Sequence, residues 1–265
     1  MTEPVPGRRV ALAPRGLVAT DHPLASAAGL GVLQEGGNAI DAAVCVAAVL
    51  GVVVPMMAGV GGDTFILYYE AASDRVTALL GSGAAPHGAT PAFFTSRGDE
   101  TIPLRGMLSV SVPGAVDAMA TALERWGSGR WSLARLLEPA ISYAEAGTPI
   151  TEHVAAWFEE GAPVLGAYPS SVRIFLPEGR APRAGEVLVQ RDLARSLRTI
   201  ADDGPRAFYE GPLASRIAAY SRSHEGILDV PDLASHRSEI ADPLSTPAGD
   251  LVIYTTPPPS QGFVL

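Results

Sequence analysis

The 265 residues carry 47% apolar side chains, enough to fill a sizeable core, and a formal charge of -9 that opposes binding to phosphate backbones or anionic membrane surfaces. All 19 basic residues are arginines, so Schiff-base chemistry, a pyridoxal anchor and a Walker A lysine are excluded.

The N-terminal stretch has Arg8 and Arg9 followed only by Val10–Ala13 before Pro14, too short for the apolar region of a secretory leader, which gives a cytoplasmic expectation. Residues 15–20 (RGLVAT) predict a short buried strand. Asp21-His22-Pro23 predicts an acidic cap and a helix running to about Glu35, stopped by Gly36-Gly37. Asn38, with Asp41 three residues on, predicts a capping box opening a buried helix from Ile40 to Val54. That run is shorter than the roughly 18 to 20 residues a bilayer span needs. Cys45 lies inside it and reads as a buried small hydrophobe rather than a nucleophile.

Residues 55–62 (PMMAGVGG) read as a glycine-punctuated loop whose glycines permit close packing, and residues 64–69 and 75–80 as a strand hairpin around Ala72-Ser73-Asp74. The loop is not a dinucleotide fingerprint, because it precedes a strand instead of following one and opening a helix. Gly81-Ser82-Gly83 closes the second strand. Helices are expected from Pro113-Gly114 to Gly127 and from Ser132 to Gly147, pairing as a helical hairpin, then from Gln190 to Gly204 and from Gly211 to Ser223, before a last strand at 251–254. The apolar end at Gly262-Phe263-Val264-Leu265 carries no stop signal and reads as a cut rather than a finish. The simplest organisation is one domain over 1–265 with a helical appendage.

His22, His87, His153, His224 and His236 show no i,i+4 pair and no neighbouring cysteine, so no metal site is expected, and no cofactor. There is no G-x-S-x-G elbow and no nucleophile paired with a base, so no catalytic residue is expected within this chain.

Six segments in order then carry a resemblance: HPLASAAGLGVLQEGGNAIDAAV at 22–44, PMMAGVGGDTFILYY at 55–69, SVPGAVDAM at 111–119, EPAISYAEAGTPI at 138–150, GPRAFYEGPLASRIA at 204–218 and TPPPSQG at 256–262. They resemble the γ-glutamyltransferase family of N-terminal-nucleophile hydrolases over nearly the whole chain. The resemblance implies an α+β, four-layer αββα fold made as a precursor that cleaves itself into a large and a small subunit. It implies a nucleophilic threonine at the new N-terminus of the small subunit, beyond Leu265, and a small amide or peptide as substrate. This chain then supplies the large-subunit portion and is inert without its partner. An orphan scaffold fragment and a small-molecule binding module using the glycine loop are the readings from other classes.

In γ-glutamyl enzymes an arginine in an R-E-x-A-P context clamps the donor's α-carboxylate. Here the aligned residues are Ser82-Gly83-Ala84-Ala85-Pro86, so Ser82 and Gly83 become the candidate substrate-binding residues and the bidentate contact is missing. Its loss removes on the order of 2 to 4 kcal/mol of donor binding unless another arginine, Arg75, Arg97 or Arg105, substitutes. The donor implied is therefore another acyl amide, as in oxamate amidohydrolases or cephalosporin and glutaryl acylases. Ser260-Gln261-Gly262-Phe263, where relatives have Ser-Ser-Gly-Gly, is a second departure.

Overall fold

The structure, a computed structural model, describes residues 10–264, so the reading of Met1–Arg9 lies outside the described residues. Helix α1 (Pro23–Gln34) starts as the proline predicts, but its N-cap is His22, whose Nδ1 accepts the Leu24 N–H at 3.2 Å, and not Asp21. Helix α2 (Ala39–Val53) has the capping box: Asn38 Oδ1 accepts from the Ile40 and Asp41 amides, and the Asp41 carboxylate accepts from the Asn38 amide at 2.9 Å. Asp41 is fully buried, and its second role explains why that is tolerated, since the carboxylate also accepts the Ser128 N–H at 3.2 Å.

Helix α2 is apolar on every side, as expected of a helix surrounded by others. It packs against α1, against α4 (Ala115–Trp126) and against α5 (Leu133–Ala146), and its C-terminal Val52 carbonyl is closed by Gln190 Nε2 at 2.7 Å. The expected α4–α5 hairpin does not form. The two helices share α2 as their partner because its small Ala, Val and Gly side chains accept neighbours on several faces.

Strand β1 (Thr64–Glu70) pairs antiparallel with β2 (Arg75–Gly81), and Asp74 takes φ 52° in the turn between them. Beyond β2 lie α3 (Pro91–Arg97), α4 and α5. The short strands β3 (Thr148–Pro149) and β4 (Val187–Leu188) pair around α6 (Glu152–Leu165) and α7 (Pro169–Phe175). Helices α8 (Arg191–Asp203), α9 (Arg206–Glu210), α10 (Pro212–Ser223) and α11 (Val230–Ser235) follow. Strand β5 (Glu239–Ala241) adds to β2, giving the sheet order β1-β2-β5, and β6 (Leu244–Ala248) and β7 (Leu251–Thr255) form a separate hairpin. One sheet face, with Ile66, Tyr68 and Leu79, joins the helical core, where Tyr68 stacks on Trp126 at 4.9 Å. The alternate β1 residues Phe65, Leu67 and Tyr69 are exposed, as are Leu251 to Tyr254 of β7.

Residues 15–20 do not form the predicted strand. They are irregular and mostly exposed, because a strand needs a ladder partner and none of the described strands pairs with them. Among the described residues no helix is long and apolar enough to cross a membrane.

Candidate functional site

The β1–β2 register ends at Thr64–Gly81, and the chain leaves the sheet carrying Ser82 and Gly83, both half-buried. The path taken next is set by the segment entering α4. Val112 N donates to the Ala84 carbonyl at 3.0 Å, and a methyl placed on Gly83 would lie 1.6 Å from the Val112 carbonyl oxygen. One placed on Gly114 would lie 2.0 Å from the Gly81 oxygen. Two backbones therefore touch here, which only glycine permits.

The loop before β1 completes the contact. The Gly62 carbonyl accepts from Gly114 N at 3.0 Å and Ala115 N at 2.9 Å, satisfying amides at the α4 N-terminus, while Asp63 Oδ1 accepts from Gly83 N at 3.4 Å. Added methyl groups at Gly59 and Gly61 would meet nothing within 4 Å, although the Gly59 backbone does pack closely on α2, where a methyl placed on Gly51 would lie 3.1 Å from the Gly59 Cα. Both glycines line a cleft of about 510 Å³, with Arg173, Gln190 and Asp192. Neither Ser82 nor Gly83 lines that cleft.

Behind Gly114 lies a buried polar group. Asp117 Oδ2 accepts the Ser238 N–H at 2.7 Å, Arg206 Nη1 stands 3.7 Å from Asp117 Oδ1, and the Tyr209 hydroxyl accepts the Asp117 N–H at 3.0 Å. Burial pushes the Tyr209 phenol upward and His236 downward, the latter partly opposed by Asp117. Arg206 is committed here, donating also to the Ala234 carbonyl at 2.8 Å.

Of the three arginines that the sequence offers as a substitute clamp, two are paired elsewhere. Arg75 pairs with Asp242 at the opposite end of β2, six residues away from Gly81 or roughly 20 Å at strand rise. Arg97 is paired with Asp99 at the end of α3, and Arg105 sits exposed on the loop before residue 107. Asp63, Val112 and Gly114 are site-shaping residues that sequence reading did not single out. The only local signal was their glycine-rich surroundings, and the contacts they make are long-range. Cys45 is fully buried, its thiol pushed up to about 11 by burial, in keeping with a structural role.

Helices layered on one face of an antiparallel sheet, with the sheet end closed by a glycine contact, make this an α+β chain, and its likeness to solved gamma-glutamyltranspeptidases gives it the N-terminal-nucleophile hydrolase fold. It superposes on the crystal structure of Helicobacter pylori gamma-glutamyltranspeptidase with a TM-score of 0.89 at 33% identity, over 96% of this chain and 73% of that one. The sequence profile of the family described as Gamma-glutamyltranspeptidase matches residues 25–265, and the chain belongs to that family. It is 41% identical to the glutathione hydrolase-like YwrD proenzyme of Bacillus subtilis (strain 168), over 93% of this chain and 46% of the relative. It is 38% identical to the oxamate amidohydrolase proenzyme of Klebsiella pneumoniae, over 94% of this chain and 47% of the relative. The chain thus spans about half the length of these curated relatives.

Proposed function

We propose that this chain, as one domain, is the large-subunit part of an amide hydrolase or acyltransferase whose threonine nucleophile resides on a partner subunit, and that its donor is not an ordinary γ-glutamyl compound. The threonine hydroxyl attacks the donor amide carbonyl, its own α-amino group takes the proton, the amine leaves, and water or an amine releases the acyl group. The present chain contributes a wall of the donor site, Ser82 and Gly83, and no nucleophile.

The observation that carries the donor reading is Ser82 at the sheet exit, in the place where the resemblance puts a carboxylate-clamping arginine, with Arg75 at the far end of the strand. A hydroxyl offers one neutral donor where a guanidinium offers a charged fork. The partner reading is supported by the proenzyme names of the relatives and by the exposed apolar side chains of Phe65, Leu67, Tyr69 and β7, a surface suited to cover by another polypeptide.

The test is an assay of the full-length, processed protein with γ-glutamyl-p-nitroanilide beside glutaryl-p-nitroanilide and oxamate. Preference for either non-γ-glutamyl donor is expected. Turnover of the γ-glutamyl anilide as efficient as by a γ-glutamyltransferase would overturn the donor reading, and failure to self-cleave would favour the scaffold alternative.

A further inference from the structure

Between Gly81 and the start of α3 at Pro91 the chain has no ladder partner, so its path depends on a few tethers. The exposed Asp63 carboxylate accepts the Gly83 N–H over a long 3.4 Å, and Val112 holds Ala84. The third tether is of another kind. Asp232, 145 residues away, accepts the His87 N–H on Oδ1 at 2.8 Å, and the same oxygen meets His87 Nδ1. Its carboxylate is buried, whereas the His87 ring is mostly exposed. Asp232 Oδ2 in turn accepts the Asp229 N–H at 2.8 Å, closing the capping box of α11.

A buried carboxylate is tolerated only when hydrogen bonds replace its lost water. Burial opposes ionisation of Asp232, but the amides of His87 and Asp229 and the His87 ring outweigh it and hold the carboxyl below its ordinary range. The charge is therefore retained, and with it the stronger, charge-assisted form of the tether. Pro86, which is buried and has no N–H, removes a competing donor immediately before His87. Gly88 lies against Ile227 in the segment leading to α11, so packing and hydrogen bonding join the loop to the same element.

We propose that Asp232 is a positioning residue for the donor wall: by anchoring His87 to α11 it fixes the course of residues 82–87 and so the place of Ser82. The inference rests on the reading of Ser82 and Gly83 as that wall. A carboxylate serving only as a helix cap would need no contact with residue 87. One serving only the loop would need none with Asp229. Asp232 makes both, so the loop is referenced to a helix whose C-terminal residues lead directly into β5, the strand paired with β2. The loop, α11 and the sheet thereby close a ring around the site.

The experiment compares Asp232→Asn and Asp232→Ala with Asp229→Ala in the full-length, processed protein. Asp229→Ala removes the other side-chain cap of α11 and leaves the His87 tether. Amide hydrogen exchange is read over residues 82–90, and KM and kcat are read with whichever of the two anilides named above the unaltered protein hydrolyses. In both Asp232 variants, exchange at 82–90 is expected to accelerate about tenfold, the size of one lost hydrogen bond. KM is expected to rise by a comparable factor with kcat changed less than about twofold, while Asp229→Ala lowers the melting midpoint without moving either. Unchanged exchange in a folded Asp232 variant overturns the proposal, as does an equal effect of Asp229→Ala. Faster exchange with unchanged KM, where Ser82→Ala does alter KM, overturns the positioning role alone. If Ser82→Ala leaves KM unmoved as well, it is the donor-wall reading that has failed.

Discussion

Gly83 and Val112 stand in direct backbone contact: a single methyl group on Gly83 would overlap the Val112 carbonyl, at 1.6 Å. That contact aligns the sheet exit with the entry to α4 and makes residue 83 intolerant of any side chain.

Gly83→Ala is accordingly expected to lower unfolding free energy by about 1 to 3 kcal/mol through forced backbone displacement. Ser82→Ala is expected to stay within about 0.5 kcal/mol, because Ser82 is half-buried and its hydroxyl makes no hydrogen bond among the described residues. Urea denaturation of the two variants checks the contrast, and equal midpoints would contradict the close contact.

Ser82→Arg introduces the missing guanidinium. Recovery of about 2 kcal/mol of carboxylate binding corresponds to a roughly 30-fold gain in kcat/KM for γ-glutamyl-p-nitroanilide. Steady-state kinetics on the full-length variant measure it. No gain at all would mean that residue 82 does not face the donor carboxylate.

Asn38→Ala removes two acceptor contacts at the α2 N-terminus and the bond from Asn38 Nδ2 to the Trp126 carbonyl, 2.7 Å long. A loss of about 1 to 2 kcal/mol is expected, at the upper end for a cap because the tie to α4 is lost as well. Thermal unfolding reads this as a drop of a few degrees in Tm.

Glu186 is held down to about 2 by hydrogen bonds from Arg180, then by the Arg183 amide. Its folded pKa lies below the unfolded one, so any stabilisation it gives is complete above the ordinary carboxylate range near 4.5 and is lost as pH falls towards 2. The stability difference between the unaltered protein and Glu186→Gln is expected to be constant from pH 5 to 7 and to shrink between about 4.5 and 2. Denaturation at stepped pH tests the direction; a difference that grows on acidification would reverse the assignment.

Cys45 is expected to resist a thiol-specific disulfide reagent at pH 8 in the folded protein and to react once denatured. It is fully buried, and burial raises its thiol to about 11. Rapid labelling of the native chain would show that α2 opens readily.

What the sequence determined alone is mostly local chemistry. The Asn38–Asp41 capping box, the Ser132 cap that accepts the Arg135 N–H, the Asp74 turn and the helix ends at Gly127 and Gly147 all follow from residues within four positions of one another. The ordered motifs from 22 to 262 likewise pointed to the family that the profile match shows. Tertiary structure decided what depends on distant partners. Residues 15–20 have strand composition yet lack a ladder, and α4 and α5 each find α2 rather than one another. His22 displaced Asp21 as cap because its Nδ1, not the carboxylate, meets the Leu24 amide. The surroundings of Ser82 belong to this second class: Gly83 meets Val112, and His87 meets Asp232 across 145 residues. Composition and periodicity report what a residue prefers, whereas a packed backbone contact exists only once the whole chain has closed around it.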